Sequence, residues 1–422
     1  MTKNKHMKIK QLIILVFVTI FTGNIFAQDA SPSPYSFFGL GNPSFKGVVE
    51  NVSMGGINMY RDSIHYNINN PASLTGLKYI NLNIGMNNSF VNVSDANGSK
   101  QLSSHNVTYF SLAIPIGKKF GLGFGILPIS STGYKIYNKK DNGDIYTAES
   151  EGGLSRIFIA GAYKITGNLS LGLEYQYHFG YIDHENKWLL KNITTYTKEK
   201  GVLEMKGSAF KAATDYKLDL KNNKYLNLHS YYRLESNLQG DYTEKTGLFT
   251  VTSSGEELVD NLDRESSSAD ITLASELGFG IGYGQKNKWF FGAEYDYLGT
   301  QNSRNPYYDP SYVQYKDGYK MKFGGMYTPE YNSITKYWKR VTYRAGFNVS
   351  NSGMNIYGED INDFGITFGL GLPSVKGLSN LNIGFELGQR GKVSDKLVKE
   401  NYFNLHISLS LNDKWFIKRK IN

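Results

Sequence analysis

The sequence contains no cysteine among its 422 residues and no long apolar run after residue 21. The absence of cysteine excludes disulfide bonds, thiolate metal ligands and cysteine nucleophiles. A transmembrane helix needs about 20 consecutive apolar residues, and no later stretch provides them. If the chain enters a membrane after its first residues, it must therefore cross with strands.

The first 27 residues have the pattern of a secretory signal peptide. Four lysines precede an apolar run at residues 12–21, and small residues lead to an expected cleavage site after Ala27. This order is typical of signal peptides, whereas the run is too short for a membrane anchor. The sequence therefore predicts export and removal of residues 1–27.

Positive charge is in only slight excess. The formal net charge of +9 falls to +5 without residues 1–27, because that segment has four lysines and no acid. Such a small, dispersed excess gives no basic face for nucleic acid, so we expect no nucleic-acid partner. The chain is instead rich in Tyr (32), Phe (24) and Gly (45), although only 40% of its residues are hydrophobic. This composition suits strands with an apolar outer face and a small or polar inner face.

Strict alternation of apolar and polar residues predicts the strands. Clear examples are residues 169–180, 381–388 and 403–411. Each pattern lasts for roughly ten residues, the length that a tilted strand needs to cross a bilayer. The whole chain has fourteen such segments, near residues 77–88, 105–116, 119–130, 154–166, 168–180, 204–220, 224–236, 268–284, 287–299, 318–328, 338–350, 361–373, 378–390 and 400–411.

The connections between these strands differ by parity. Short turns follow the even-numbered strands, whereas polar stretches at 131–152, 181–202, 237–267 and 300–317 follow odd-numbered ones. Alternating turns and long loops are typical of outer-membrane barrels. We therefore predict an all-β fold, a transmembrane antiparallel β-barrel of about 14 strands over residues 77–412, followed by a basic periplasmic tail at 413–422.

Charged and polar side chains fall on the strand phase opposite to the apolar one. A Lys or Arg facing lipid at mid-depth costs about 2 to 4 kcal/mol, so these side chains should point inward. The predicted lumen-facing polar residues are Glu174, His178, Glu276, Glu294, Asp296, Arg340, Arg344 and Glu386.

Residues 28–76 lack strand alternation and precede the first strand. Fourteen strands enclose more space than their own side chains fill, so this segment is the natural candidate for a plug or hatch inside the barrel. An Asn-Asn-Pro-Ala corner ends it, at Asn69, Asn70, Pro71 and Ala72. Pro71 restricts Asn70 to extended conformations, and we expect the corner to anchor the hatch.

The stretch from Asn51 to Leu77, which includes this corner, resembles the hatch of the FadL family of outer-membrane transporters. Residues 269–284 resemble the family as well, with Ala274 where proline is more common, and the predicted architecture matches it over the whole mature chain. The basic ending is similar to Bacteroidetes-type relatives. The resemblance implies passive uptake of long-chain fatty acids or similar hydrophobic molecules, with hatch movement and lateral exit through a gap in the third strand.

Pro128 is the physical counterpart of such a gap in this chain. Proline cannot donate a ladder hydrogen bond and belongs at an edge or a break in pairing. Pro128 is therefore predicted to mark a lateral gate, and an ordinary strand end is the alternative interpretation. Pro115, near the end of the second strand, is more simply explained as a strand terminator.

Other functions have weaker support in the residues. Neither His178 nor His406 has a spacing that indicates a Ser-His-acid arrangement, so we expect no enzyme, no cofactor and no metal site. A binding or scaffold subunit of a secretion or assembly complex, as in PorV-like relatives, stays open as the alternative to transport. A polar porin is disfavoured because residues 28–76 would block the pore. The expected partners are a hydrophobic small molecule, outer-membrane lipid with lipopolysaccharide, and a protein reached through the extracellular loops of a monomer.

Overall fold

The computed structural model of the protein describes residues 31–96, 98–303, 305–307, 311–374, 379–394 and 396–413. The predicted signal peptide at 1–27 lies outside these residues, as does the predicted tail after Asp413. Among the described residues, no helix is both long and apolar enough to span a membrane.

Fourteen antiparallel strands of the described chain form a closed barrel, which confirms the predicted fold class and strand number. Closure comes from the last strand, which pairs with the first from Lys399 opposite Ser94 to Asp413 opposite Ile80. The strands are β1 (Ile80–Ser94), β2 (Ser99–Ile116), β3 (Phe120–Thr132), β4 (Ile145–Lys164), β5 (Leu169–Leu189), β6 (Thr195–Asp219), β7 (Lys224–Arg233 and Ser236–Thr252), β8 (Gly255–Leu273 and Ser275–Gln285), β9 (Trp289–Gly299), β10 (Gly318–Tyr327), β11 (Thr342–Ile356), β12 (Glu359–Pro373), β13 (Asn380–Gly391) and β14 (Lys399–Asp413).

Short elements complete the described secondary structure. Three short strands pair with the barrel: Asn42–Pro43 with β3, Lys135–Lys139 with β4 and Val313–Tyr315 with β11. One helical turn, α1, covers Val49–Val52. The 3-10 turns are Pro34–Phe37, Pro71–Gly76, Lys221–Asn223, Thr300–Asn302 and Tyr337–Lys339.

The two faces of the wall differ as the alternation predicts. On β5 the apolar Leu173 is 59% exposed on the outer face, whereas its neighbours Gly172 and Glu174 are buried on the inner face. Apolar side chains outside match a hydrocarbon solvent, and polar side chains inside keep hydrogen-bond partners.

The predicted loops at 131–152, 181–202 and 237–267 are wrong over most of their length. The structure extends β4 back to Ile145 and β5 to Leu189, and β7 and β8 meet at a two-residue turn between Thr252 and Gly255. Past the apolar outer band both faces of a strand can meet water, so the apolar alternation fades while the backbone ladder continues. Residues 300–317, in contrast, contain only a 3-10 turn and Val313–Tyr315 among the described elements.

Candidate functional site

Residues 31–79, here called the N-terminal segment, pack against inward-facing side chains of the barrel. Val48, Tyr66 and Leu74 join a buried apolar cluster with residues of β2, β3 and β4. Met54 and Met59 join a second cluster with residues of β7, β9 and β10. Much of the apolar core therefore lies between this segment and the wall. The hatch role assigned to it stays a prediction.

Glycines on β10 and β11 allow the segment to lie directly on the wall. Gly324 and Gly346 are opposite each other in the ladder. A Cβ at Gly324 would overlap the Met54 carbonyl, and a Cβ at Gly346 would overlap the backbone nitrogen of Gly55. The Gly55 N–H also donates to Thr367 Oγ1 on β12 at 2.9 Å. Any larger residue at these two glycines must displace the segment.

Glu294 and Asp296 on β9 are buried and face inward. The backbone N–H and side-chain amide of Asn58 each donate to Glu294 at 2.6 Å. Lys322 on β10 pairs with Glu294 at 2.9 Å and with Asp296 at 2.5 Å. Two wall carboxylates thus share one cation, and Glu294 also holds the segment through Asn58.

A second polar cluster surrounds Glu50 and His65 of the segment. Glu50 accepts from Asn382 on β13 at 2.9 Å and from Ser410 on β14 at 3.1 Å. The His65 Nε2 lies 3.5 Å from Glu50, and its Nδ1 lies 2.6 Å from Asp62. This cluster joins the segment to β13 and β14, the last two strands of the barrel.

The pKa values of His65 and Asp62 reflect their pairing. Burial by itself lowers the pKa of His65. The charges of Asp62 and Glu50 raise this pKa by more than burial lowers it, so the net shift is upward. Burial raises the pKa of Asp62, but the charge and hydrogen bonds of His65 lower it, and the net shift is downward. Both shifts favour the charged pair.

Glu386 on β13 is fully buried. Lys46 of the segment reaches it at 2.6 Å, and the side-chain amide of Asn404 donates to it at 2.9 Å. His406 lies 3.5 Å away. The structure thus gives the sequence-predicted carboxylate an ion pair with the N-terminal segment.

Glu174 and His178 lie on the inner face of β5 and are buried. The Gln176 amide donates to Glu174 at 2.5 Å, and His178 lies 3.3 Å from the Gln176 carbonyl oxygen. Arg156 on β4 is 3.9 Å from Glu174. These residues bind one another along the wall.

Glu276 is half-buried on β8 and has partners on two other strands. Tyr231 donates to it at 3.0 Å, and Arg233 and Lys320 lie at 3.7 and 3.3 Å. Cations from β7 and β10 therefore surround this carboxylate.

The two predicted arginines occupy different positions. Arg344 on β11 is buried and donates to Asn382 at 3.2 Å. Arg340 lies in the turn before β11, at the end of the 3-10 turn Tyr337–Lys339, and is half-buried. The structure brings both to one cavity at the end of the barrel where the short turns are, here called the turn end.

The Asn-Asn-Pro-Ala corner is held by hydrogen bonds from both sides. Lys211 on β6 donates to the Asn69 carbonyl at 2.5 Å, and the Asn70 amide donates to the Asn58 carbonyl at 3.1 Å. Pro71 begins the 3-10 turn Pro71–Gly76, and the preceding Asn70 is non-helical. Ala72 is fully buried against the wall.

The ladder between β2 and β3 stops close to Pro128. The two strands pair from Ile116 back to Phe110. No pair of described residues lies farther toward the other end of the barrel, which is opposite the turn end and is here called the loop end. Beyond it, β3 pairs with residues 42–43 of the segment, and its register against β4 shifts between Pro128 and Ser130. Proline has no N–H to donate, so it suits such a break.

Two adjoining cavities lie on the lumen side of this break. One of about 780 Å³ is lined by Phe110, Ile126 and Pro128 at the wall. The other, of about 430 Å³, extends toward the loop end. Phe45 and Lys46 line both.

The 430 Å³ cavity has two kinds of lining. Its apolar residues include Phe38, Leu40, Leu154, Leu273 and Leu298. Seven Lys and Arg side chains also line it, against three acids. Six of these seven cations already pair with acids, and only Lys211 among them has no acidic partner within the described residues.

Several residues of this site are absent from the sequence prediction. Lys46, Glu50 and His65 belong to the segment, where no periodicity indicates which side chains face the wall. Arg156 and Lys322 lie on strands, and their phase alone could have identified them as inward-facing.

Comparison with solved structures shows which known proteins have the same fold. The FadL-type channels share it: the Pseudomonas putida toluene transporter TodX is 15% identical, with 86% of this chain and 97% of that chain covered and a TM-score of 0.56. A Pseudomonas aeruginosa FadL homologue is 12% identical, with 88% and 98% covered and a TM-score of 0.56. The CymD monoaromatic hydrocarbon channel is 14% identical, with 89% and 99% covered and a TM-score of 0.54.

A search of curated proteins found no match. The family model described as BamG, however, matches residues 8–422, which is nearly the entire chain. The chain therefore belongs to the BamG family.

Proposed function

We propose that this protein mediates passive uptake of hydrophobic small molecules, of the long-chain fatty acid type, across the outer membrane. The observation that carries the proposal is the pair of adjoining cavities that runs from the loop end to the wall break at Pro128. An apolar lining favours a cargo with a hydrocarbon body, and a carboxylate on that cargo would pair with Lys211, which has no described acidic partner, or replace Glu386 at Lys46.

The cargo enters the 430 Å³ cavity, passes Phe45 and Lys46, and leaves sideways between β2 and β3. Because Lys46 is also paired with Glu386 at 2.6 Å, passage requires the N-terminal segment to shift. The binding and release of cargo are then coupled to the position of the segment, which acts as the hatch.

The molecules that structurally similar channels carry support a hydrophobic cargo. TodX is a toluene transporter and CymD is a monoaromatic hydrocarbon channel. We extend to this chain the hydrophobic character of the cargo, and the fatty acid preference comes from the cationic lining.

We further propose that the protein acts as an outer-membrane monomer after removal of residues 1–27, without a cofactor and without catalysis. The similarity of its basic ending to Bacteroidetes-type relatives belongs to the same proposal.

Native mass spectrometry of the protein, purified in mild detergent, tests the transport proposal. We expect a bound small molecule with lipid-like mass, which an excess of oleate displaces. A Lys46→Gln variant should lose most of this occupancy, whereas Lys140→Gln, on the exposed connection before β4, should retain it. Wild-type protein without any small ligand would count against transport.

A scaffold role in a secretion or assembly complex is the second candidate. It is favoured by the polar contacts that hold the segment against the wall, including the Lys46–Glu386 ion pair and the hydrogen bonds from Asn58 to Glu294. A lumen closed in this way transports nothing. In the same mass spectra, a stoichiometric protein partner without a small ligand would favour this role.

A further inference from the structure

The turn end of the barrel contains a third cavity, of about 1070 Å³. It is lined by residues 60–65 and 75–80 and by turn residues such as Lys118 and Lys286. Neither the break at Pro128 nor the two cavities of the proposed uptake route adjoin these turns. The transport proposal therefore gives this cavity no role of its own.

Positive charge is concentrated here. Eight Lys and Arg side chains and three Asp line the cavity, a net formal charge of +5. The whole 422-residue chain has a net formal charge of only +9. One end of the lumen thus holds a large share of the net charge, although the overall excess is mild.

Most of these cations have no acidic partner. Among the lining aspartates, Asp62 pairs with His65 at 2.6 Å and Asp219 with Lys217 at 3.8 Å. Within the described chain, six lining cations form no ion pair: Lys78, Lys118, Lys164, Lys286, Arg340 and Arg344. Like charges that share a concave surface repel one another unless an anion joins them.

Arg344 gives a second, independent indication of a ligand. The residue is only 5% exposed, and its side chain donates to Asn382 through one terminal nitrogen. Its Nε is buried and has no hydrogen-bond partner within the described residues. A buried guanidinium nitrogen without a partner is costly, and an incoming carboxylate would satisfy it.

We propose that this cavity is a docking site for an acidic, extended polypeptide segment of a soluble partner on the turn side of the membrane. Carboxylates of such a segment pair with the exposed Lys118 and Lys286 at the rim and with Arg340 and Arg344 deeper inside. This site is separate from cargo passage and stands whether or not the barrel transports.

A membrane phospholipid fits this site less well than a peptide. The lining residues on the strands, such as Tyr225, Met326 and Arg344, are buried on the inner face of the wall. The acyl chains of a bilayer lipid lie on the outer face, so its head group would have to leave the bilayer and enter the lumen. A soluble acidic chain reaches the cavity directly from the aqueous side.

The test uses the full-length protein in phosphatidylcholine nanodiscs and a fluorescent poly-glutamate peptide, whose binding is measured by anisotropy. Wild-type protein should bind it, and binding should weaken steeply with salt. Lys118→Gln combined with Lys286→Gln should weaken binding by about tenfold, since exposed charge pairs each contribute modestly. Both residues are exposed in turns, so the barrel should fold, and charge reversal to Glu at both positions should abolish binding.

Lys139→Gln combined with Lys140→Gln removes the same charge from the exposed connection that follows β3 and should leave binding unchanged. The proposal is overturned if wild-type protein does not bind the peptide, or if the two double variants weaken binding equally. It is also overturned, in favour of a lipid site, if short-chain phosphatidylglycerol displaces the peptide from wild-type protein and itself binds through Lys118 and Lys286.

Discussion

Asn58 donates both its backbone N–H and its side-chain amide to the buried carboxylate of Glu294, at 2.6 Å each. The same carboxylate pairs with Lys322 at 2.9 Å. A single residue of the N-terminal segment is therefore tied twice to a charge on the barrel wall. Hydrogen bonds to a charged group are stronger than neutral ones, so this contact should limit how readily the segment moves.

Asn58→Ala should loosen the segment while the barrel stays intact. The variant keeps one donor and loses the other, which should cost about 1 to 3 kcal/mol because a buried carboxylate loses a partner. Hydrogen–deuterium exchange of peptides from residues 54–59 should become faster. Asn142→Ala, at an exposed turn, is the control and should change nothing in that region. Unaltered exchange in Asn58→Ala would contradict the proposed restraint.

Replacing Asn70 and Pro71 together by alanine should open the lumen to small solutes. Asn70 bonds the Asn58 carbonyl, and Pro71 sets the start of the following 3-10 turn. Without them the corner loses both its bond and its stiffness. Permeability of cells to small antibiotics should rise at equal barrel levels, and unchanged permeability would argue against a hatch anchored here.

Gly346→Val should displace the segment from the wall. A Cβ at this position would overlap the backbone of Gly55, and backbone cannot yield as a flexible side chain can. The midpoint of thermal unfolding should fall and residues 54–57 should become sensitive to protease. Gly98→Val is the matched control, because a Cβ there meets nothing within 4 Å. Equal stability of the two variants would show that the segment does not rest on this glycine.

The pair of His65 and Asp62 should make retention of the segment depend on pH. His65 has a raised pKa, so its contribution is complete below the unfolded value of about 6.5 and is lost as pH rises through the raised value. Asp62 has a lowered pKa, so its contribution is present above about 3.9 and is lost as pH falls through the lowered value. Protection of residues 60–65 from hydrogen exchange should therefore be greatest between about pH 4 and about pH 6.5.

A His65→Gln variant gives the control for this pH dependence. It cannot lose a proton at alkaline pH, so the decline in protection above the raised pKa should disappear. If the decline persists in the variant, another group causes it.

The wall could be predicted from sequence because it repeats one physical rule. Leu173 outside and Glu174 inside follow from the same two-residue period, and fourteen segments of this kind give the barrel. The rule fails past the apolar outer band, where both faces of a strand are exposed, and this is why the alternation indicates a loop over most of Gly255–Leu273.

The interior of the site could not be predicted in the same way. Lys46 and Glu386 are 340 positions apart in the chain, and no period in the segment indicates that Lys46 faces β13. The break near Pro128 depends on which strand each part of β3 pairs with, and the sequence shows only that Pro128 lacks an N–H. Such contacts follow from the closed barrel, which must form before the segment has a surface to pack on.

The most direct measurement of the central claim is uptake of a fluorescent fatty acid by cells with matched barrel levels. The comparison includes cells without the protein, wild type, Pro128→Val and Pro115→Val. Pro115 lies within the paired part of β2, opposite Gly121, and controls for the loss of a proline elsewhere. We predict uptake by wild type and Pro115→Val well above the empty cells, and severalfold lower uptake by Pro128→Val because valine can extend the ladder and close the gap. Wild-type uptake equal to that of empty cells would contradict transport, and equal uptake by Pro128→Val and wild type would contradict exit through the wall.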